Sequence, residues 1–197
     1  KKVIGPVVRQ EISSANAKFA NERFGLHPEL PLILITGGGQ GAAGLNLAVL
    51  PLLKHLLKNF QVVHLTGSGA AKCFVQETSV FSHQHYHPLE VVYEGMGDLI
   101  AKSEIVLTRA GMGILGELAV LQKDTVLIPL PGTHQEENAL LIKENNAAEY
   151  VSQQVLSTEG INWWDNFFEK RVPGEMGKKL HKLLPDGGTK DFVKLVF

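Results

Sequence analysis

A single cysteine in 197 residues, Cys73, excludes any internal disulfide framework. Such a chain must be held by a packed core, and its cysteine usage points to a reducing compartment such as the cytosol. An excess of one charge is lacking too. The 19 Lys and Arg against 20 Asp and Glu leave a formal net charge of −1. That balance argues against a general electrostatic grip on nucleic acid, and no nucleic-acid partner is expected. Long apolar runs are missing: the longest, around Leu45 to Leu57, contains Pro51, Lys54 and His55, too short and too polar to span a bilayer. No signal-peptide pattern, no internal repeat and no low-complexity tract is visible. The loop G-x-x-x-x-G-K-[ST] is absent, which disfavours P-loop phosphoryl transfer. The chain opens on Lys1, Lys2 and a short apolar segment broken by Gly5 and Pro6, as a chain cut from something larger at a linker would.

What is present reads as one α/β domain. Leu32-Ile33-Leu34-Ile35-Thr36, bounded by Pro31 and Gly37, is a wholly apolar run suited to a strand buried on both faces. Further strands are predicted at Gln61 to Thr66, Leu89 to Tyr93, Ile105 to Thr108 and Thr125 to Ile128. Helices are predicted at about Ala43 to Lys58, Gly113 to Leu121 and Gln135 to Asn145, with a helical tail from about Asn162. Strands alternating with helices predict a doubly wound parallel sheet, Rossmann-like, with helices on both faces and strand order 3-2-1-4-5-6.

Two glycine-rich turns stand out. Gly37-Gly38-Gly39-Gln40-Gly41-Ala42-Ala43-Gly44 and Ala110-Gly111-Met112-Gly113-Ile114-Leu115-Gly116 each lie between a strand and a helix. In the assumed order both come after neighbouring strands, whose connections diverge and open a crevice at the carboxyl ends. Glycines let the backbone approach a phosphate, and helix N-termini offer unpaired N–H groups and positive partial charge. The same glycines also serve if they only allow close helix–strand packing.

Gly39 to Gly44 fits G-x-G-x-x-G, but a dehydrogenase should place an acid about 20 residues on, at the end of the second strand, to hold the ribose hydroxyls. That strand ends Leu65-Thr66-Gly67-Ser68, and the next acid is Glu77, so NAD is disfavoured. Glu117, one turn into the helix after the second glycine-rich turn, is better placed to accept both hydroxyls of a ribose. It also serves as a surface or helix-dipole glutamate. His134 and Gln135 begin the helix that leaves the fifth strand, where polar side chains meet sugar hydroxyls or merely cap. Other features read as structural: His55 and His64, Cys73 as a packing residue, and Trp163, Trp164, Phe167 and Phe168 as a helix-packing cluster. His83, His85 and His87 alternate, which suits a solvated loop better than a metal site, because no acid or cysteine completes them.

These residues together resemble the MurG-type N-acetylglucosaminyltransferases, a family of GT-B fold. Gly37-Gly38-Gly39-Gln40-Gly41-Ala42 with Leu45-Asn46 is similar to its GGSQGA…LN loop. Arg109-Ala110-Gly111 with Glu117-Leu118 is similar to its RAG…EL segment. Pro129-Leu130-Pro131 with His134-Gln135 and Asn138-Ala139 is similar to its P-x-P…HQ…NA segment, and Gly5 to Ile12 resembles GNPVR-x-EI. Gly39 stands where the family usually has Ser, and Ile114 where it often has Thr.

The resemblance implies the C-terminal, donor-binding domain of a GT-B transferase, spanning residues 1–197 as one domain. It implies UDP-N-acetylglucosamine as donor and a polyprenyl-linked acceptor, lipid I, at the inner face of the cell membrane. The acceptor-binding N-terminal domain and its catalytic base would lie elsewhere, so no catalytic residue is expected here, nor a metal or other cofactor. Arg9 and Gly38, Gly39, Gln40 and Gly41 would meet the diphosphate, the backbone near Tyr93 and Met96 the uracil, and Glu117 the ribose. Met112, Gly113 and Ile114 would approach sugar and phosphate, and Gln135, beside His134, would read the sugar hydroxyls. Three alternatives stay open: another UDP-sugar:lipid transferase such as a diacylglycerol glycosyltransferase, one chain of a split transferase, or a non-catalytic nucleotide-sugar-binding module.

Overall fold

A computed structural model describes residues 5–38, 42–68, 80 and 82–189. Six parallel strands form one sheet: β1 Leu32–Thr36, β2 Gln61–Leu65, β3 Tyr86–Leu89, β4 Ser103–Thr108, β5 Thr125–Leu127 and β6 Glu149–Tyr150, in the order β3-β2-β1-β4-β5-β6. This is the doubly wound order expected from the sequence. Eight helices are described: α1 Gln10–Ser13, α2 Ala17–Phe24, α3 Ala43–Leu56, α4 Met96–Lys102, α5 Met112–Val120, α6 His134–Glu144, α7 Gln153–Lys170 and α8 Glu175–Leu183.

Alternation along the strands divides the core in two. Ile33, Ile35, Leu107 and Val126 face α3 and α7, while Leu34, Val63, Val106 and Leu127 face α4, α5 and α6. Every residue of β1 and β2 is buried, as runs covered on both faces must be. The register places Leu34 between Val63 and Val106.

Two elements differ from the sequence expectation, and the sixth strand is implied there by the order without a range. The third strand lies at Tyr86–Leu89, earlier than Leu89 to Tyr93, with Tyr86 opposite Val62. Tyr86 is buried there and its hydroxyl meets His64. The sixth strand is only two residues long. The last long helix begins at Gln153 rather than near Asn162. Ser152 caps it through the Val155 N–H, and Leu156, Gly160 and Trp164 are buried along it, in the core face that α3 shares. The aromatic cluster is packing, as expected. Phe60 meets Trp164 and Phe168 edge-on at 6.1 and 5.4 Å, and Trp163 stacks on Phe167 at 5.4 Å. Cys73 lies outside the described residues.

Packing also fixes the N-terminal segment and the far end of the sheet. The segment at 5–9 crosses α5 where Gly116 lets Pro6 approach: a Cβ there would stand 2.6 Å from the Pro6 Cβ. Thr189 fastens the same segment, accepting from the Val8 N–H at 3.0 Å. At the opposite end of the sheet, Asp124 accepts from Gly174 N–H (2.8 Å), Gly177 N–H (3.1 Å) and Arg171 Nη1 (3.0 Å), anchoring the start of α8.

Candidate nucleotide-binding crevice

The carboxyl ends of β1 and β2 and the first turns of α4 and α5 enclose a cavity of about 270 Å³. Thr36 and Leu65, the last residues of their strands, line it together with the apolar Met96 and Ile114 and with Gly38. Glu90, Val91 and Val92 complete one side, and Arg9 and Glu117 the other. This is where a doubly wound sheet opens its crevice.

Arg9 and Glu117 are paired. Arg9 Nε donates to Glu117 Oε1 at 2.8 Å and Nη2 to Oε2 at 3.1 Å, a fork that engages both carboxylate oxygens. Their side chains are unequally exposed, 49% for Arg9 and 10% for Glu117. The hydrogen bond to Glu117 raises the Arg9 pKa, and partial burial opposes it. A further ion-pair contact joins Arg9 Nη1 to Glu11 at 2.8 Å.

The helix that carries Glu117 starts at Gly111, which has no side chain to cap it. The helix after the first glycine-rich turn starts at Ala42, equally unable to cap. Asn16, Thr133 and Ser152 cap α2, α6 and α7, whereas Gly95 at α4 and Gly174 at α8 likewise supply no side-chain cap. The two turns at the crevice therefore present N–H groups that their own N-cap residues do not satisfy.

The structure brings together some of the expected site residues and separates others. Arg9, Gly38, Met96, Ile114 and Glu117 line one cavity. Met112 and Gly113, exposed, begin the same helix as Ile114. Tyr93 is 86% exposed and does not line the cavity; with β3 ending at Leu89 it stands in the following loop, and Val91 and Val92 take the wall. His134 and Gln135 open α6 outside the lining. The Gln135 Oε1 accepts from Leu130 N–H at 3.1 Å, which leaves its amide N–H₂ to donate. Gly39, Gln40 and Gly41 lie outside the described residues. Thr36, Leu65, Glu90, Val91 and Val92 were not singled out from sequence. The first two could have been, as the last residues of strands flanking a crevice.

Arg109, part of the second motif, turns out to be a brace. It is buried, and donates from Nη1 to the Ile128 and Pro129 carbonyls (2.8 and 2.9 Å) and from Nη2 to Gln153 Oε1 (2.9 Å). Asn138 Nδ2 donates back to the Ala110 carbonyl at 3.0 Å. Together they hold the β4 and β5 turns in one arrangement.

A buried polar chain lies beneath the first turn. Asn46 Nδ2 donates to the Thr66 carbonyl at 2.8 Å, so its Oδ1 takes the Nε2–H of His64 at 3.0 Å. His64 Nδ1 then accepts from the Tyr86 hydroxyl at 2.9 Å. Burial pushes the His64 pKa down to about 4 and raises that of Tyr86, so both are neutral near pH 7. His64 thus ties β2, β3 and the first turn of α3 together. Among the histidines at 83, 85 and 87, the rings of the first two lie 5.6 Å apart and His87 stands on β3. No group of three or more metal-ligating side chains occurs among the described residues.

Comparison with known proteins places this geometry. A family model described as the glycosyltransferase family 28 C-terminal domain matches residues 32–163. A UDP-N-acetylglucosamine--N-acetylmuramyl-(pentapeptide) pyrophosphoryl-undecaprenol N-acetylglucosamine transferase of Lachnospira eligens is 35% identical over 158 residues, covering 80% of this chain and 43% of that protein. Its namesake in Lachnoclostridium phytofermentans is 33% identical over 161 residues, covering 80% and 44%. The chain thus spans less than half the length of these curated relatives. Among solved structures, Acinetobacter baumannii MurG superposes with a TM-score of 0.76 at 22% identity, over all of this chain and 56% of that one. A Neisseria meningitidis UDP-GlcNAc 2-epimerase bound to UDP-GlcNAc superposes with a TM-score of 0.62 at 20% identity, over 91% and 47%. At these identities the superpositions establish the fold.

Proposed function

Because this chain belongs to the family of the glycosyltransferase 28 C-terminal domain, we propose that it is the UDP-N-acetylglucosamine-binding half of an inverting transferase that passes N-acetylglucosamine to lipid I. The carrying observation is one cavity that gathers Arg9, Gly38 and Glu117 beside the start of α5, a helix without a side-chain cap. The relatives' printed names, which specify this donor sugar and a pyrophosphoryl-undecaprenol acceptor, support the reading.

In this reading the ribose hydroxyls donate to the Glu117 carboxylate, deep in the cavity. The uracil lies along Val91, Val92 and Met96, and the diphosphate reaches out toward Gly38 and the N-terminus of α5. An acceptor hydroxyl attacks the anomeric carbon from the opposite side, and the C–O bond to UDP breaks. The negative charge that grows on the leaving diphosphate is met by helix N–H groups already in place and by Arg9 once the bound diphosphate has engaged it. The reading assigns no metal to this step. The base that takes the acceptor's proton, and the acceptor site itself, belong to a further domain or partner chain working at the membrane's inner face. Among the described residues no helix is long and apolar enough to cross a membrane.

Thermal unfolding with UDP-N-acetylglucosamine, UDP-galactose, GDP-mannose and NADH tests the reading. A ligand at 100 times its dissociation constant adds about 2.7 kcal/mol, a melting shift of roughly 5–10 °C at this size. The expected result is a shift with UDP-N-acetylglucosamine that Glu117→Ala abolishes and Gln135→Ala weakens. A shift with NADH alone would overturn the reading.

A further inference from the structure

Both oxygens of the only carboxylate buried in the described cavity wall are already taken by Arg9, 108 residues away in sequence. Each oxygen keeps a second lone pair, but Glu117 has little exposed surface and Arg9 covers it with a two-armed fork, so a vicinal diol reaching Glu117 competes with that fork for the same carboxylate. The two partners differ in freedom. Glu117 sits inside α5 with a 10% exposed side chain, whereas Arg9 precedes α1 and its side chain is 49% exposed. Arg9 is therefore the group that moves. It is also the one cation among the described lining residues, paired to Glu117 and to Glu11. An anion entering the crevice has Arg9 as its side-chain counter-ion there, and it competes with Glu117 for that guanidinium.

We propose that Arg9 is a specificity-determining latch: paired to Glu117 it closes the ribose subsite to ligands without a phosphate, and a diphosphate opens the subsite by drawing Arg9 to itself. This rests on the nucleotide-sugar reading of the crevice. A nucleoside must break the Arg9–Glu117 pair and offers Arg9 nothing in return. A nucleoside diphosphate breaks it and supplies two phosphates in exchange. The crevice thus selects for UDP over uridine by more than the phosphate contacts alone, since removal of the latch favours one ligand and disfavours the other.

The test is titration of the whole chain with uridine and with UDP, by calorimetry or ligand-observed NMR, in wild type, Arg9→Ala and Arg9→Lys. In Arg9→Ala uridine is expected to bind more tightly, by up to about fivefold for a half-exposed pair, while UDP weakens by about tenfold or more. Arg9→Lys, which keeps the charge but not the fork, should bind uridine more tightly and lose less UDP affinity than Arg9→Ala. In a Glu117→Gln background the gain in uridine binding on Arg9→Ala should vanish, because the latch has lost its charged catch. Uridine affinity that is unchanged or weaker in Arg9→Ala, with UDP weakened, would make Arg9 an ordinary phosphate ligand and overturn the latch. Absence of UDP binding to the wild-type chain would instead overturn the nucleotide-sugar reading beneath it.

Discussion

Two helix N-termini in this molecule meet a carboxylate and an arginine, and they do so in opposite ways. At α8 the anion is the chain's own: Asp124 receives the N–H groups of Gly174 and Gly177 and one arm of Arg171, with the Asp124 and Arg171 side chains only 1% and 3% exposed. Every demand there is met internally, and the arrangement works as a structural anchor. At α5 the carboxylate Glu117 rides one turn inside the helix rather than at its mouth. Its arginine is half exposed, and the N-terminus begins at Gly111 without a side-chain cap. The first site holds the fold and the second leaves room for a ligand. An Arg–carboxylate pair alone does not mark function. What marks it is the combination of partial exposure, an adjoining cavity and helix N–H groups left without a cap.

Breaking the closed site should have the largest effect. Asp124→Ala leaves the buried Arg171 with Glu104 as its remaining carboxylate partner and uncaps α8, and is expected to destabilise by about 2–4 kcal/mol in chemical denaturation. Glu117→Ala should change stability by less than about 1 kcal/mol, because its partner can turn to solvent, and yet abolish nucleotide binding. Equal losses of stability would erase the contrast.

The His64 chain sharpens it through pH. Its folded pKa, about 4, lies below the ordinary 6.5, so the unfolded chain binds this proton more readily. The stability is complete above pH 6.5 and falls as pH drops toward 4, by on the order of 3 kcal/mol in total. His64→Gln should flatten that part of the stability–pH profile. An unchanged slope would show that other groups govern the acid transition.

A smaller loss of stability is expected at Gly116, where an added Cβ would meet Pro6 at 2.6 Å. Gly116→Ala should shift the segment that carries Arg9, cost about 1–3 kcal/mol from overpacking, and weaken UDP more than it weakens uridine. Equal weakening of the two ligands would show that the segment does not steer Arg9.

Much of this was legible in sequence for physical reasons. The Leu32–Thr36 run suits a strand buried on both faces and Gln61–Thr66 reads as a second, and the glycine-rich turns after β1 and β4 located the crevice. Arg9 and Glu117 were both identified, but not their mutual pairing, since nothing local to either residue reports a partner 108 positions away. The third strand was misplaced because Tyr86-His87-Pro88 carries no apolar run, although Tyr86 is buried opposite Val62 and meets His64. Tyr93 was displaced from the wall by the same shift. The start of α7 was missed because its first turn, Gln153-Gln154, is polar, and Ser152 signals a cap only once the helix is known. The anchor at Asp124 gave no sequence signal, since two of its three donors are backbone N–H groups.

Hydrogen exchange with and without saturating UDP-N-acetylglucosamine tests the central claim most directly, because it reads both helix N-termini in one experiment. The account predicts slowed exchange at residues 36–43 and 110–117, beyond any change at 171–179 around the Asp124 anchor. Slowing at 171–179 without slowing at 36–43 and 110–117, or no slowing at either, would contradict it.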